Sequence, residues 1–256
     1  MNILQAFIIG IIEGITEFLP ISSTAHITLT GELLNIAPDD FFKSFMVIIQ
    51  LGALLPVLFY YLYKYRLNFA VHSRIFTAFI PTAIIGFLLY KIIKNILLGN
   101  IAITLWALLI GGIAIILLEK YLNISQEEKK ISDISYKQSF LIGLAQSLSV
   151  IPGVSRSGAT ILAGLGMGIP RTTIIEFSFL LAVPTMIAAS SYDILKHYKT
   201  FTFDNLNLLF VGLITSMFFG AGSLLFLKKY VKKHTFIIFG VYRIALSIFI
   251  FIILSF

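Results

Sequence analysis

The sequence predicts an all-α polytopic membrane protein of six transmembrane helices and two re-entrant helix-loop-helix segments, folded as an inverted-topology repeat. Three observations carry that expectation: the composition, the distribution of charge-free runs, and a motif that occurs twice. Of the 256 residues, 58% are hydrophobic and 12% charged, whereas a soluble domain carries about 25% charge. An ordinary water-soluble globule is therefore excluded. The net charge of +7 arises from 19 Lys and Arg against 12 Asp and Glu. In a soluble protein that excess would raise nucleic acid as a partner; here it reads as cytoplasmic loops obeying the positive-inside rule, and no nucleic-acid partner is expected. With no cysteine, the chain has neither a disulfide framework nor a thiolate metal site, and its redox compartment stays open.

Taken in order, Met1 to Leu19 is apolar but carries Glu13 and Glu17 and is broken by Pro20. It reads as half of a re-entrant loop over about residues 2–36, because irregular backbone at membrane depth is tolerated only where protein or a water-filled cavity surrounds it. A signal peptide is the competing reading, but no basic n-region precedes the apolar run and no small-residue cleavage site follows it. Ser44 to Tyr63 and Ile101 to Leu118 carry no charge and reach or approach the length that crosses ~30 Å of hydrocarbon. Between them, Ile75 to Tyr90 spans if Lys91 snorkels to the interface. Glu119 to Ser139 is a polar linker with the mixed run Glu127-Glu128-Lys129-Lys130, read as a solvated loop. Phe140 to Ile169 is broken at Pro152-Gly153, with Arg156 just beyond, and forms the second re-entrant loop over about 140–169. Phe177 to Tyr192 spans if Lys196 snorkels, Leu206 to Leu227 spans outright, and Thr235 to Phe256 spans if Arg243 is tolerated inside.

The halves, 1–120 and 138–256 within one membrane domain, repeat. Ile9-Gly10-Ile11-Ile12-Glu13 followed by Pro20-Ile21-Ser22-Ser23 resembles Ile142-Gly143-Leu144-Ala145-Gln146 followed by Pro152-Gly153-Val154-Ser155, at an offset of 133 and then, after one gap, 132. Three spans per half force the second half into the membrane upside down, so the loops enter from opposite faces and their tips meet near the midplane. Of the Lys and Arg residues, 12 fall on the face reached after the first span and 5 on the other. The positive-inside rule puts the 12 in the cytoplasm, and both termini outside.

Two carboxylates four residues apart lie on one helix face. In an apolar half-helix, Glu13 and Glu17 are expensive unless they meet a cation, water or a proton, and oxygen ligands suit Mg²⁺ or Ca²⁺. A structural hydrogen-bonded pair is the bland alternative. After the break, Ser22, Ser23 and Thr24 are either N-caps or phosphate ligands. His26 alone reads more often as a satisfied buried histidine; with Ser23 and Glu17 it completes a set of nucleophile, base and orienting carboxylate. The second break offers Ser155, Arg156, Ser157 and Thr160 at a half-helix N-terminus, an anion site; Gln146 stands just upstream. Arg156 is neutralised either by Glu13 or Glu17 or by a phosphate, the latter favoured. Arg171 with Glu176, and Arg243, could extend the site, but intramembrane ion pairing or snorkelling is the favoured reading.

The segments Glu13-Gly14-Ile15-Thr16-Glu17-Phe18-Leu19-Pro20-Ile21-Ser22-Ser23-Thr24-Ala25-His26 and Pro152-Gly153-Val154-Ser155-Arg156-Ser157-Gly158-Ala159-Thr160 are similar to the two signature segments of the undecaprenyl-diphosphate phosphatase family, also called the bacitracin resistance protein family. Glu176-Phe177-Ser178-Phe179-Leu180-Leu181-Ala182-Val183-Pro184 resembles it too, so the likeness covers essentially the whole chain. One departure is Ala25, where the family carries glycine before the histidine. The resemblance implies a bacterial inner-membrane enzyme that hydrolyses the C55 isoprenyl diphosphate to the monophosphate carrier lipid with a divalent cation. It assigns the acidic motif to Glu13 and Glu17, the nucleophile or base to Ser23 and His26, and phosphate binding to Arg156 with Ser155, Ser157 and Thr160.

The expected catalytic set is thus Glu17, Ser23, His26 and Arg156. Ser22, Thr24, Ser155, Ser157, Thr160 and Gln146 are expected to bind substrate, and Glu13 and Glu17 the metal. Ser23 is the expected nucleophile, with Glu17 or His26 as base; attack by a metal-bound water and a phosphohistidine at His26 remain open. The expected partners are an isoprenyl diphosphate lipid and membrane lipid, and the sequence leaves room for a homodimer. The competing class is a transporter or flippase for a phosphorylated isoprenoid, since broken helices in inverted repeats are typical of carriers.

Overall fold

The computed structural model describes residues 1–121, 129–198, 201 and 203–254. Glu127 and Glu128 of the linker and the last two residues of the chain lie outside them. Eleven α-helices make up the described residues, with no strand among them: α1 (Ile3–Glu17), α2 (Ser23–Leu33), α3 (Asp40–Ile48), α4 (Gln50–Tyr65), α5 (Phe69–Ile92), α6 (Ile101–Tyr121), α7 (Tyr136–Gln146), α8 (Arg156–Gly166), α9 (Arg171–His197), α10 (Phe203–Tyr230) and α11 (Ile237–Leu254). Only Ile49 separates α3 from α4. Asp40–Tyr65, Phe69–Leu97, Ile101–Tyr121, Arg171–His197 and Asn205–Tyr230 are long and apolar enough to cross a bilayer. This is an all-helical, multi-pass membrane protein.

Five stretches meet that length where six are expected. The sixth, Thr235 to Phe256, corresponds to α11, apolar over Ile237–Ile253 and followed by residues outside the described ones. Just before α11 the Phe236 N–H donates to Glu119 Oε1 at 3.0 Å. That carboxylate also receives Arg171 Nη2 at 2.5 Å, so Arg171 pairs with Glu119 rather than Glu176, which instead takes Lys64 at 2.7 Å.

Each short helix preceding a break packs along a long helix of the other half of the chain: α1 against α10, α7 against α5. Small residues permit the approach. A Cβ on Gly10 would meet the Gly212 backbone, and one on Gly143 the Ala78 backbone. Phe18, Leu19 and Ile21, at the first tip, sit in the main apolar core with residues of α4, α5, α8 and α9. The irregular backbone there is surrounded by protein.

The two broken segments repeat bond for bond at a constant offset of 133. Asn2 and Ser135 both close capping boxes, with Gln5 and Gln138. The Gln5 amide reaches Leu34 O and the Gln138 amide Met167 O; the turns Ile36 N to Gly31 O and Ile169 N to Gly164 O match as well. Ser22 and Ser155 both sit at positive φ, 70° and 76°, capping Ala25 N and Gly158 N respectively. The shift to 132 read from the two prolines therefore does not occur. Pro20 and Pro152 are not equivalent, Ser22 stands with Ser155, and Ser23 stands with Arg156.

Candidate active site

Ser23 and Arg156 are the first residues of α2 and α8. Both helices turn their N-terminal ends, where unsatisfied N–H groups and the helix dipole favour an anion, toward one cavity of about 490 Å³. Glu17, the last residue of α1, joins the two. Ser23 Oγ donates to Glu17 Oε2 at 2.5 Å, and Arg156 Nη2 donates to Glu17 Oε1 at 2.9 Å. Arg156 Nη1 is fixed on Ser178 O at 2.9 Å, while its Nε, also buried, has no partner. A hydroxyl, a carboxylate and a guanidinium thus form one hydrogen-bonded line, with the guanidinium Nε–H still to be satisfied.

Glu13 lies one turn behind. It is fully buried, and neither of its carboxylate oxygens meets a donor. Its polar neighbours are Glu17 and Ser23. A buried carboxylate with two orphaned oxygens beside a second carboxylate costs several kcal/mol unless something fills the gap.

The remaining candidates fall into two groups. Ser22, Thr24 and Ser155 line the cavity with Glu17, Ser23 and Arg156. Ser157, Thr160, Gln146 and His26 are not among its lining residues. Ser157 Oγ donates to Leu19 O at 3.0 Å, tying the second loop to the first; Thr160 Oγ1 bonds Ser178 Oγ at 2.6 Å behind Arg156. The Gln146 amide donates to Thr82 and Thr185 hydroxyls at 3.0 and 3.1 Å, and those two threonines do line the cavity. His26 turns away from Ser23. Its Nδ1 is 2.7 Å from Ser22 O and its Nε2 2.8 Å from the Tyr242 hydroxyl, with the two rings stacked. One helical turn along α2 places it on the α11 side, and both ring nitrogens are occupied.

Arg243 is neither the ion pair nor the snorkelling side chain favoured from the sequence; it joins the site as a scaffold. It is 0% exposed and donates to five backbone carbonyls: Ala107 and Leu108 of α6, Pro20 of the first tip, and Gly153 and Val154 of the second. It clamps both loop tips to α6. A cation is well chosen for this task, because a tip that leaves the helical ladder exposes carbonyls no neighbouring N–H can reach. The only sequence signal was a lone arginine inside an apolar run. Ser178, a missed contributor, sits in the Glu176–Pro184 segment already singled out.

The family described as Bacitracin resistance protein BacA matches residues 6–249. A protein named undecaprenyl-diphosphatase from Sulfurihydrogenibium sp. is 47% identical over 249 residues, covering 97% of this chain and 98% of that protein. One of the same name from Aquifex aeolicus is 44% identical over 244 residues, covering 95% of each. A third, from Methanococcus aeolicus, is 42% identical over 249 residues, covering 97% of each. A match of this extent, over a chain whose two loop tips meet at one cavity, means that the chain belongs to the bacitracin resistance protein BacA family.

Proposed function

We propose that this protein is an undecaprenyl-diphosphatase, hydrolysing the carrier-lipid diphosphate to undecaprenyl monophosphate and inorganic phosphate. The observation that carries this reading is the line from Ser23 through Glu17 to Arg156 on the cavity wall, supported by relatives of that name over nearly the full chain. The cavity is otherwise largely apolar, with Val47, Phe79, Phe87 and Met186 among its walls, which suits an isoprenoid adjoining a charged headgroup.

In the mechanism that follows, Ser23 Oγ attacks the terminal phosphorus and passes its proton to Glu17 Oε2. The bond from that phosphorus to the bridging oxygen breaks, and the bridging oxygen leaves with the lipid monophosphate. Glu17 yields that proton to the departing monophosphate, then takes one from the water that attacks the phosphoserine and returns it to Ser23 Oγ as the Oγ–P bond breaks, releasing phosphate and the Ser23 hydroxyl. Arg156 orients Glu17 in the resting site and has a spare Nε–H for a phosphate oxygen. The two half-helix N-termini add backbone donors. His26, held by Ser22 and Tyr242, orients the loop and takes no proton from Ser23.

The orphaned Glu13 oxygens, with Glu17 and Ser23 beside them, suit a hard divalent cation, Mg²⁺ or Ca²⁺. No group of three His, Cys, Asp or Glu occurs among the described residues, so the substrate phosphate and water would complete its ligands, the usual way Mg²⁺ is held. When bound, such an ion neutralises phosphate charge and polarises the P–O bond.

The finer architecture belongs to the same proposal: six spans, two re-entrant loops over about 2–36 and 140–169, and an inverted repeat of 1–120 and 138–256. The exchanged packing of α1 on α10 and α7 on α5 and the constant offset of 133 support it. We place the protein in the bacterial inner membrane with both termini outside, and the site served from that face. All groups named come from one chain, so the chemistry requires neither a homodimer nor a nucleic acid. A carrier for phosphorylated lipid would have no use for a serine hydroxyl held on a carboxylate. The test is phosphate release from isoprenyl diphosphate by detergent-purified protein, with and without chelator. Release abolished by EDTA and restored by Mg²⁺ or Ca²⁺ is expected; no release in any condition overturns the hydrolase, and full activity in chelator overturns the cation.

A further inference from the structure

The C-terminal ends of α5 and α9 hold a second polar cluster that the phosphatase chemistry leaves unused. Lys94 lies in the five-residue π-helical turn Ile93–Leu97 and is 3% exposed. Its ammonium donates to Ser44 Oγ at 2.8 Å and Asp193 Oδ1 at 2.6 Å, and the Tyr90 hydroxyl donates to the same Oδ1 at 2.8 Å. Asp193 Oδ2 is buried and has no partner. This cluster stands between two spaces. On one side is the catalytic cavity; on the other is a cavity of about 320 Å³ whose lining includes Lys91, Lys94, Asn95, Lys196 and His197. Tyr90 and Lys94 border both.

We propose that the smaller cavity is a phosphate-binding vestibule through which the inorganic phosphate product leaves, a site that rests on the hydrolase reading above. Hydrolysis creates a small, water-soluble dianion in a largely apolar cavity, which it quits by a polar route. The lipid monophosphate is tethered by its tail to the bilayer and needs no such route. Three lysines around one small space attract an anion of this charge by focusing the field, and Asn95 adds neutral donors. Monohydrogen phosphate presents acceptor oxygens that Lys91, Lys196 and Asn95 can meet in the vestibule, while the Lys94 ammonium, held on Ser44, Asp193 and His197, supplies charge at the partition. Asp193 also neutralises Lys94, so the partition passes the anion on instead of trapping it. The outer lysines, Lys91 and Lys196, are exposed and supply the outward pull.

The test is product inhibition in the full-length protein. Adding inorganic phosphate to the isoprenyl-diphosphate assay gives a Ki for phosphate and a KM for the lipid, in wild type and in Lys91→Gln/Lys196→Gln. Both lysines are exposed, so this variant keeps the fold. The ratio of Ki to KM should rise at least about fivefold, as expected for two rim charges. An unchanged ratio overturns the proposal. So does a KM that rises in step with Ki, which would make the cavity a lipid-headgroup site. Binding of radiolabelled phosphate to the same two proteins separates the two readings. If wild type releases no phosphate from the lipid, the hydrolase falls, while equal phosphate binding by both proteins still overturns the vestibule and weaker binding by the variant supports it.

Discussion

Glu17 uses both carboxylate oxygens at once, one for the Ser23 hydroxyl and one for the Arg156 guanidinium. Its removal therefore loses a base and the orientation of a phosphate ligand together. Glu17→Gln keeps the shape but cannot accept the proton, and turnover should fall by about 10²-fold or more. Ser23→Ala should release no phosphate in a steady-state assay while still binding the lipid, a pairing that separates a lost nucleophile from a lost pocket. Arg156→Lys retains the charge but not the planar fork that grips Glu17 and Ser178 O simultaneously. Its kcat should drop by at least about tenfold, the loss expected for one charge-assisted hydrogen bond; wild-type kinetics would make Arg156 a merely structural partner. Glu13→Gln removes the carboxylate whose oxygens are orphaned, so the cation concentration giving half-maximal rate should rise while activity at saturating Mg²⁺ recovers in part.

Two helix breaks have to meet at one place, and Arg243 is what joins them. Replacing it by leucine takes this donor from the Pro20, Gly153 and Val154 carbonyls of the two tips in a buried region, each loss costing about 1–3 kcal/mol, and detergent-solubilised protein should show a markedly lower Tm along with lost activity. Gly111→Ala tests the clamp without touching the arginine, since a Cβ there collides with the Arg243 guanidinium; it should reproduce the same loss in milder form. These elements were unevenly legible in the sequence. The breaks announced themselves through Pro20 and Pro152-Gly153, and the acidic pair through charge in an apolar run. The register did not, because proline and glycine mark where a helix stops and say little about which residue caps the next one. Only the positive φ of Ser22 and Ser155 fixes that equivalence. The placement of His26 was equally hidden, as spacing from Ser23 says nothing about the neighbouring Tyr242 that takes its ring. Backbone carbonyls leave no trace in a sequence, so the five acceptors of Arg243 could not be read from it.

Across the whole molecule, the orientation in the membrane decides where phosphate is released. A cysteine placed at Asn2 or Asp39 in this cysteine-free chain should react with an impermeant thiol reagent on intact spheroplasts, and one at Lys130 or Lys232 should not; the reverse pattern overturns the outward-facing site. The all-helical membrane class, the two breaks and the family were within reach of the sequence because membrane insertion makes hydropathy nearly decisive, whereas five stretches rather than the expected six reach spanning length among the described residues. The union of the two tips at one cavity was not, since it depends on contacts between residues more than a hundred positions apart. That union also depends on a difference. Ser23 and Arg156 stand at equivalent positions of the two broken segments, so two segments alike there would set like against like. Two serines would lack the positive charge to hold a diphosphate, and two arginines would lack a nucleophile. The chemistry proposed here needs the two segments to differ at this pair, and any substitution that makes them more alike there should cost the activity while sparing the fold.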